Sequence, residues 1–196
     1  MCKLKKFLAI LVLAISTLTS ISAQAEIRLS GEIKQGGLVI GKTNPNDVVT
    51  LNEKVLPVST QGDYVFAFSR DDKTKYTLTV TSPTGKVETK TFKPAKREYK
   101  ISRVEGISKK IMNPNKKANI RAGEDRAAIL KVRKISSELT DFSQGFIAPR
   151  SARITGVYGS QRYYNGVPKN PHFGVDYAGQ VGAPVKAPDS GIDLHW

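Results

Sequence analysis

The sequence predicts a mainly β protein: a small antiparallel sandwich or barrel over residues 26–104, a basic linker with one connecting helix over residues 105–150, and an incomplete β-rich domain over residues 151–196. Three observations support this prediction. Short runs rich in β-branched and aromatic residues recur at regular spacing, turn-forming residues separate them, and a single apolar stripe with helical spacing follows.

Residues 1–25 have the order of a secretory signal peptide. The basic start MCKLKK precedes the apolar run FLAILVLAIS, and AQA supplies a small-x-small cleavage site. The apolar run is too short to span a bilayer, and no later segment is apolar enough to do so. We therefore expect an exported protein that begins near Glu26. Because the only cysteine, Cys2, lies in the signal, the mature chain must fold without a disulfide.

Eight segments between residues 26 and 104 are predicted to be strands. Several alternate apolar and polar residues, as a half-buried strand does, and SPTGK at residues 82–86 is suited to a hairpin turn. The segments are IRLSGEI, GLVIG, DVVTLN, KVLPVS, YVFAFS, YTLTVTS, KVETKTF and REYKISRV. Eight short strands at this spacing are typical of an antiparallel sandwich or barrel.

The connecting region is predicted to be a linker followed by a helix. SKKIMNPNKKANIRAGED is polar and basic and contains Pro114, which favours a linker. The helix is then expected to begin near Glu124 and Asp125, because acidic residues are favoured in a first turn. Its apolar stripe has spacings of four, three and four: Ala128, Val132, Ile135 and Leu139.

The positive charge lies in one part of the chain. Beyond residue 25 there are 28 basic and 17 acidic residues, a net charge of +11, and residues 86–134 hold 16 basic and 5 acidic residues, which is also +11. This segment has few interleaved aromatic residues and no recognition motif, so we do not expect it to bind nucleic acid. Two interpretations stay open: a solvated face, or attraction to anionic polymers of the cell envelope.

The segment GGLVIGKT at residues 36–43 matches the letters of a phosphate-binding loop. Such a loop needs a buried strand before it and a helix directly after it. Here the interior LVI favours a strand, and Pro45 in the following NPND prevents a helix from opening at the required place. We expect no nucleotide site.

His172 and Asp176 are the candidate metal ligands, since imidazole and carboxylate both bind zinc well. In a straight strand their Cα atoms would lie roughly 13 Å apart, too far to share one ion. Gly174 between them permits the bend that would bring them together. An exposed histidine near an aspartate, with no metal, is the alternative.

The surrounding residues 154–191 resemble the opening of the lysostaphin-type (LytM-like) zinc endopeptidases, peptidase family M twenty-three. The family pattern is Gly-aromatic-Gly-x-x-Arg, a loop, His-x-Gly-x-Asp-aromatic-Ala, and then Gly-x-Pro-Val-x-Ala-x-x-x-Gly. The matching positions are Tyr158, Gly159, Arg162, His172, Gly174, Asp176, Tyr177, Ala178, Gly182, Pro184, Val185, Ala187 and Gly191.

This resemblance implies a peptidase that cuts peptide cross-links of peptidoglycan in the periplasm or envelope of a Gram-negative bacterium. It implies that His172 and Asp176 are zinc ligands and that Arg162 is a substrate-binding residue near the site. A surface or structural salt-bridge role for Arg162 stays open. In the family, a later His-x-His supplies a third ligand and a histidine that acts as general base.

The chain departs from the family because it has only two histidines. His195, in GIDLHW, is the remaining candidate for a third ligand, and a His-x-His cannot be formed. We therefore expect a truncated, inactive copy of the peptidase, with a catalytic region too short to bury a core and with unpaired strand edges. A non-catalytic envelope-binding module, or a regulator of wall hydrolases, is the alternative.

Overall fold

The computed structural model describes residues 27–112, 115–135 and 137–191. The predicted signal peptide and His195 lie outside these residues. Each of the eight predicted segments overlaps a strand, so the prediction of a mainly β fold is confirmed. The strands are β1 (Arg28–Gly31), β2 (Leu38–Lys42), β3 (Val48–Leu51), β4 (Lys54–Leu56), β5 (Asp63–Ala67), β6 (Tyr76–Thr81), β7 (Val87–Phe92) and β8 (Ile101–Val104).

Strands β1 to β7 form an antiparallel sandwich, as the sequence predicts. One sheet has the order β1-β2-β5 and the other β4-β3-β6-β7. Alternate residues of each central strand point into the space between the sheets, because successive side chains of a strand point to opposite faces. The buried hydrophobic residues are Val39, Val49, Tyr64, Phe66, Phe68, Leu78 and Val80. Contacts between Phe66, Phe68, Tyr76 and Phe92 extend this core towards the edge strand β7.

The glycines of the phosphate-loop match serve packing. The LVI interior lies in β2, as predicted, and a turn in which Thr43 donates a 2.6 Å hydrogen bond to Asp47 follows it. A Cβ at Gly41 would overlap the buried ring of Tyr64, and a Cβ at Gly36 would overlap Tyr158. These residues therefore form a strand and a turn, which is not the geometry that cradles a phosphate.

Strand β8 lies outside both sheets of the sandwich. It pairs in parallel with β10 (Gln161–Tyr164), which also pairs with β11 (Val167–Pro168) in antiparallel orientation. A parallel pair needs a long crossover connection, and residues 105–160 supply it. A strand that the sequence groups with the N-terminal strands thus joins the sheet of the C-terminal region.

The connecting region is more helical than predicted. It contains α1 (Lys109–Met112) and α2 (Lys116–Val132). The Asn115 side chain accepts a 2.9 Å hydrogen bond from the backbone N–H of Ala118, which caps the start of α2. Neither helix of the described chain has the length and apolarity that a membrane crossing requires.

The predicted start of the helix is wrong by about two turns. Glu124 and Asp125 lie in the middle of α2, and part of the predicted linker forms its first half. Lysine, alanine and arginine favour helix once a cap is present, and Asn115 provides that cap. The stripe also ends early, since Ile135 and Leu139 lie beyond the last helical residue.

The C-terminal region buries little apolar surface. It contains the short antiparallel pair β9 (Ile154–Gly156) and β12 (Asp176–Tyr177). Among the described residues, no hydrophobic side chain after Val80 is fully buried. The most exposed ones of this region are Phe146, Ile147, Ile154, Phe173, Val181 and Val185. This agrees with the expectation that the region is too short to build a core of its own.

The loop between β5 and β6 contains a carboxylate whose ionisation should stabilise the sandwich. Asp72 accepts hydrogen bonds from the backbone N–H of Thr74 (2.8 Å) and from the hydroxyl of Tyr76 (2.7 Å). Burial opposes ionisation, but these hydrogen bonds outweigh it and hold the pKa of Asp72 below its ordinary value of 3.8. The ionised form therefore stabilises the folded state above the ordinary pKa, and this contribution is lost as the pH falls through the lowered pKa.

We expect Asp72→Asn to lower the free energy of unfolding by about 1 kcal/mol at neutral pH, because an amide cannot accept from both donors as a carboxylate does. The difference from the unsubstituted protein should shrink below about pH 4. Urea unfolding at neutral and acidic pH measures it, and Asp125→Asn on the exposed face of α2 is the control. A difference that does not change with pH would contradict this assignment.

Candidate functional site

The structure brings the two predicted metal ligands together. His172 lies in the loop before β12, Asp176 is the first residue of β12, and the chain bends at Gly174 between them. His172 Nε2 is 3.2 Å from Asp176 Oδ1. The bend that the sequence predicts therefore replaces the long separation of a straight strand with direct side-chain contact.

Backbone hydrogen bonds hold His172 in place although it lies outside a strand. Its N–H donates to the carbonyl of Ser160 (2.8 Å), and its carbonyl accepts from the N–H of Gly159 (2.7 Å). Asp176 is held independently, because β12 pairs with β9 and the N–H of Ala178 donates to the carbonyl of Arg153 (2.9 Å). The two side chains thus meet from two separately supported backbone segments.

Gly156 makes room for the carboxylate, and sequence reasoning missed it. It is the β9 residue paired with Asp176, and a Cβ at this position would overlap Asp176 Oδ2. A glycine within a strand often marks a place where another group approaches closely, which is the signal that could have identified it. Only a glycine lets the Asp176 carboxylate lie over β9 in its present position.

The pair fits two members of a zinc ligand set. Two donors about 2 Å from a tetrahedral ion lie about 3.3 Å apart, close to the observed separation of 3.2 Å. His172 Nε2 is shielded from solvent, yet no described residue gives it a hydrogen bond of acceptable geometry. In the neutral tautomer that leaves Nε2 without a hydrogen, this nitrogen can share an ion with the carboxylate.

The ligand set is incomplete within the described part of the chain. No third His, Cys, Asp or Glu of residues 27–112, 115–135 and 137–191 joins the pair. His195, the other candidate ligand from the sequence, lies outside these residues. Two protein ligands bind zinc less tightly than the three that catalytic zinc sites use.

All three predicted site residues line one cleft of about 460 Å³ between β8, β10 and β9. Arg162 contributes from β10, and His172 and Asp176 contribute from the loop and β12. The other lining residues are Lys100, Ser102, Ile154, Thr155, Gly156, Val157, Ser160, Gln161, Tyr164, Lys169, Asn170 and Pro171. The cleft therefore carries three cationic side chains and one carboxylate, which favours anionic ligands.

Two of these cations lie next to Tyr164 on one side of the cleft. Arg162 Nη1 donates a 3.4 Å hydrogen bond to the Tyr164 hydroxyl, and Lys169 Nζ lies 5.9 Å from the centre of its ring. The hydrogen bond to Tyr164, and to a smaller extent the negative charge of Asp176, hold the pKa of Arg162 above its ordinary value. Arginine is protonated at any physiological pH, so Arg162 is a cation in the same cleft as the candidate metal ligands. Sequence reasoning missed Lys100 because β8 joins this sheet only through tertiary pairing.

No protein-family model matches the chain, and no curated protein is significantly similar to it. The resemblance to LytM-like endopeptidases therefore rests on the motif residues between positions 154 and 191.

We expect Gly156→Ala to separate the His172–Asp176 pair, because the added Cβ would displace the carboxylate. The His172 imidazole resonances in a ¹H–¹⁵N spectrum should then move towards those of Asp176→Asn. His195→Gln assigns the only other imidazole. Gly123→Ala on α2, where a Cβ meets nothing within 4 Å, is the control and should leave the spectrum unchanged. An unaltered His172 signal in Gly156→Ala would contradict the packing argument.

Proposed function

We propose that the cleft around His172 and Asp176 derives from the active site of an exported, LytM-like zinc endopeptidase that acts on peptidoglycan. One observation carries this proposal. His172 Nε2 and Asp176 Oδ1 of the His-x-Gly-x-Asp motif face each other at 3.2 Å, and Nε2 makes no hydrogen bond of acceptable geometry with the described residues. This separation matches the spacing of two donors on one tetrahedral ion, which is the support for a shared metal site.

Each residue has a distinct role in this proposal. His172 and Asp176 would hold the zinc ion, which when bound polarises a peptide carbonyl and activates water. Arg162, with Lys100 and Lys169, would orient the anionic groups of the substrate along the cleft. Gly156 leaves the carboxylate free to face the histidine.

A chain with this sequence should be a poor hydrolase. With His172 as a ligand, His195 is the only imidazole left, so it cannot provide both a third ligand and a general base. General base catalysis typically contributes a factor of 10² to 10⁴ in rate, and a two-ligand site holds its metal weakly. We therefore propose that these 196 residues, by themselves, hydrolyse peptidoglycan poorly.

A second candidate function is supported by the charge distribution. Helix α2 has no buried residue, so its lysines and arginines face solvent, and three cations line the cleft. These surfaces suit a non-catalytic module that binds anionic wall polymer or regulates a wall hydrolase.

The zinc proposal is tested by titrating the mature chain, from Glu26 onwards, with zinc in the His195→Gln background. The His172 imidazole resonances should shift saturably, and Asp176→Ala should weaken the response by about tenfold or more, since one of two ligands is lost. Lys93→Ala, remote from the motif in sequence, is the control. The absence of any zinc-dependent shift at His172 would refute the proposed function.

The charge proposal is tested by sedimentation with purified peptidoglycan. The mature chain should cosediment at low salt and be released as ionic strength rises to about 1 M, where the screening length falls to about 3 Å. No soluble peptide should appear, with or without zinc. Zinc-dependent peptide release that His172→Ala abolishes would show that the chain is an active enzyme.

A further inference from the structure

We propose that Arg70, in the N-terminal sandwich, is a positioning residue for His172 and acts through Gly159. The inference rests on the proposed function, because it concerns the geometry of the same two candidate ligands, His172 and Asp176. It adds a residue from outside the motif region, separated from Gly159 by 89 positions in the chain.

Two short hydrogen bonds connect Arg70 to His172. Arg70 Nε donates to the carbonyl of Gly159 at 2.7 Å, and the N–H of Gly159 donates to the carbonyl of His172, also at 2.7 Å. The Arg70 side chain is only 10% exposed, so water competes little for its donors. Gly159 therefore links the sandwich to the backbone of His172 through one hydrogen bond on each side.

Tyr99 fixes the direction from which Arg70 reaches Gly159. The Arg70 guanidinium lies 4.4 Å from the centre of the Tyr99 ring, and the Tyr99 hydroxyl lies 3.0 Å from the carbonyls of both Gln35 and Arg70. Arg70 Nη1 also contacts both carboxylate oxygens of Asp71 at 2.8 Å. With a ring on one face and a carboxylate at one end, the guanidinium has little freedom to turn away.

The two glycines of this junction allow its close packing. Gly159 has φ +82° and a Cβ there would overlap the Tyr99 ring, while Gly36 has φ +70° and a Cβ there would overlap Tyr158. Both conformations are readily adopted only by glycine. The sandwich therefore packs closely against the turn that contains Gly159. The next residue, Ser160, has the carbonyl that accepts a hydrogen bond from the N–H of His172.

The distance between the His172 and Asp176 side chains should therefore depend on the sandwich. Asp176 is held by β9, whereas His172 is held by residues 159–160, whose position depends on Arg70. Loss of the Arg70 donor should loosen His172 relative to Asp176 without touching either ligand. A small displacement is sufficient, because sharing an ion requires both donors about 2 Å from it.

The test compares Arg70→Met with Arg97→Met in the mature His195→Gln chain. Methionine keeps the apolar stem and removes the donor. Arg97 is a matched control because its guanidinium lies 5.4 Å from the same Tyr99 ring, whereas the guanidinium that donates to Gly159 is that of Arg70. The measurements are hydrogen exchange of the Gly159 amide, the zinc Kd from His172 imidazole shifts, and the exchange of core amides such as Val80.

We expect Arg70→Met to speed exchange at Gly159 by about tenfold and to weaken the zinc Kd by about threefold or more, with core exchange unchanged, as for a local opening. Arg97→Met should change none of these. The inference is overturned if the two variants behave alike, or if Gly159 exchange rises while the zinc Kd stays the same.

Two further outcomes are separable. If the unsubstituted chain shows no zinc response, the proposed function fails. The positioning role is then decided by the His172 imidazole resonances. Arg70→Met should shift them, and Arg97→Met should leave them in place. If Arg70→Met exposes the core amides, Tyr99→Phe replaces it, since it removes the hydroxyl that holds the Arg70 carbonyl. Tyr99→Phe should change Gly159 exchange and the zinc Kd in the same direction, and unchanged values would overturn the inference.

Discussion

The contact between the sandwich and the turn at Gly159 is the constraint on which the candidate site depends. The C-terminal region buries no hydrophobic side chain completely within its described residues, so apolar packing contributes little to its order. Its order comes from hydrogen bonds to preceding segments: the parallel pairing of β10 with β8 and the bond from Arg70 to Gly159. The position of this region's backbone is therefore determined by β8 and Arg70, which belong to preceding segments.

That constraint explains how His172, although it lies in a loop, can be held beside Asp176. A loop residue normally pays a large conformational entropy cost to keep one position. His172 has both backbone groups bonded to residues 159 and 160, which the sandwich holds in turn, and its side chain then faces a carboxylate fixed on a strand. Hydrogen bonds to the supporting segments, rather than burial in a core, order the His172–Asp176 pair, although no third candidate ligand joins it among the described residues.

The comparison of sequence and structure separates two kinds of signal. The strand segments were predicted because alternation and β-branched residues are local properties, and the bend at Gly174 was predicted because glycine permits it. The predicted start of α2 was wrong because Pro114 and the basic residues were interpreted as a linker, and the cap at Asn115 was not considered. Gly156 and Lys100 were not identified from the sequence, because their roles depend on neighbours that only the folded chain brings next to them.

The sequence by itself determined the strand segments between residues 26 and 104, the alternation of buried and exposed residues in the sandwich, and the motif that places a histidine and an aspartate on either side of one bend. Only the tertiary structure decided that β8 leaves the sandwich for β10, that Gly156 lies under the Asp176 carboxylate, and that Arg70 reaches Gly159. The physical reason is that strand formation and bending depend on neighbouring residues. Hydrogen-bond partners far apart in the chain are selected only when the whole chain has folded.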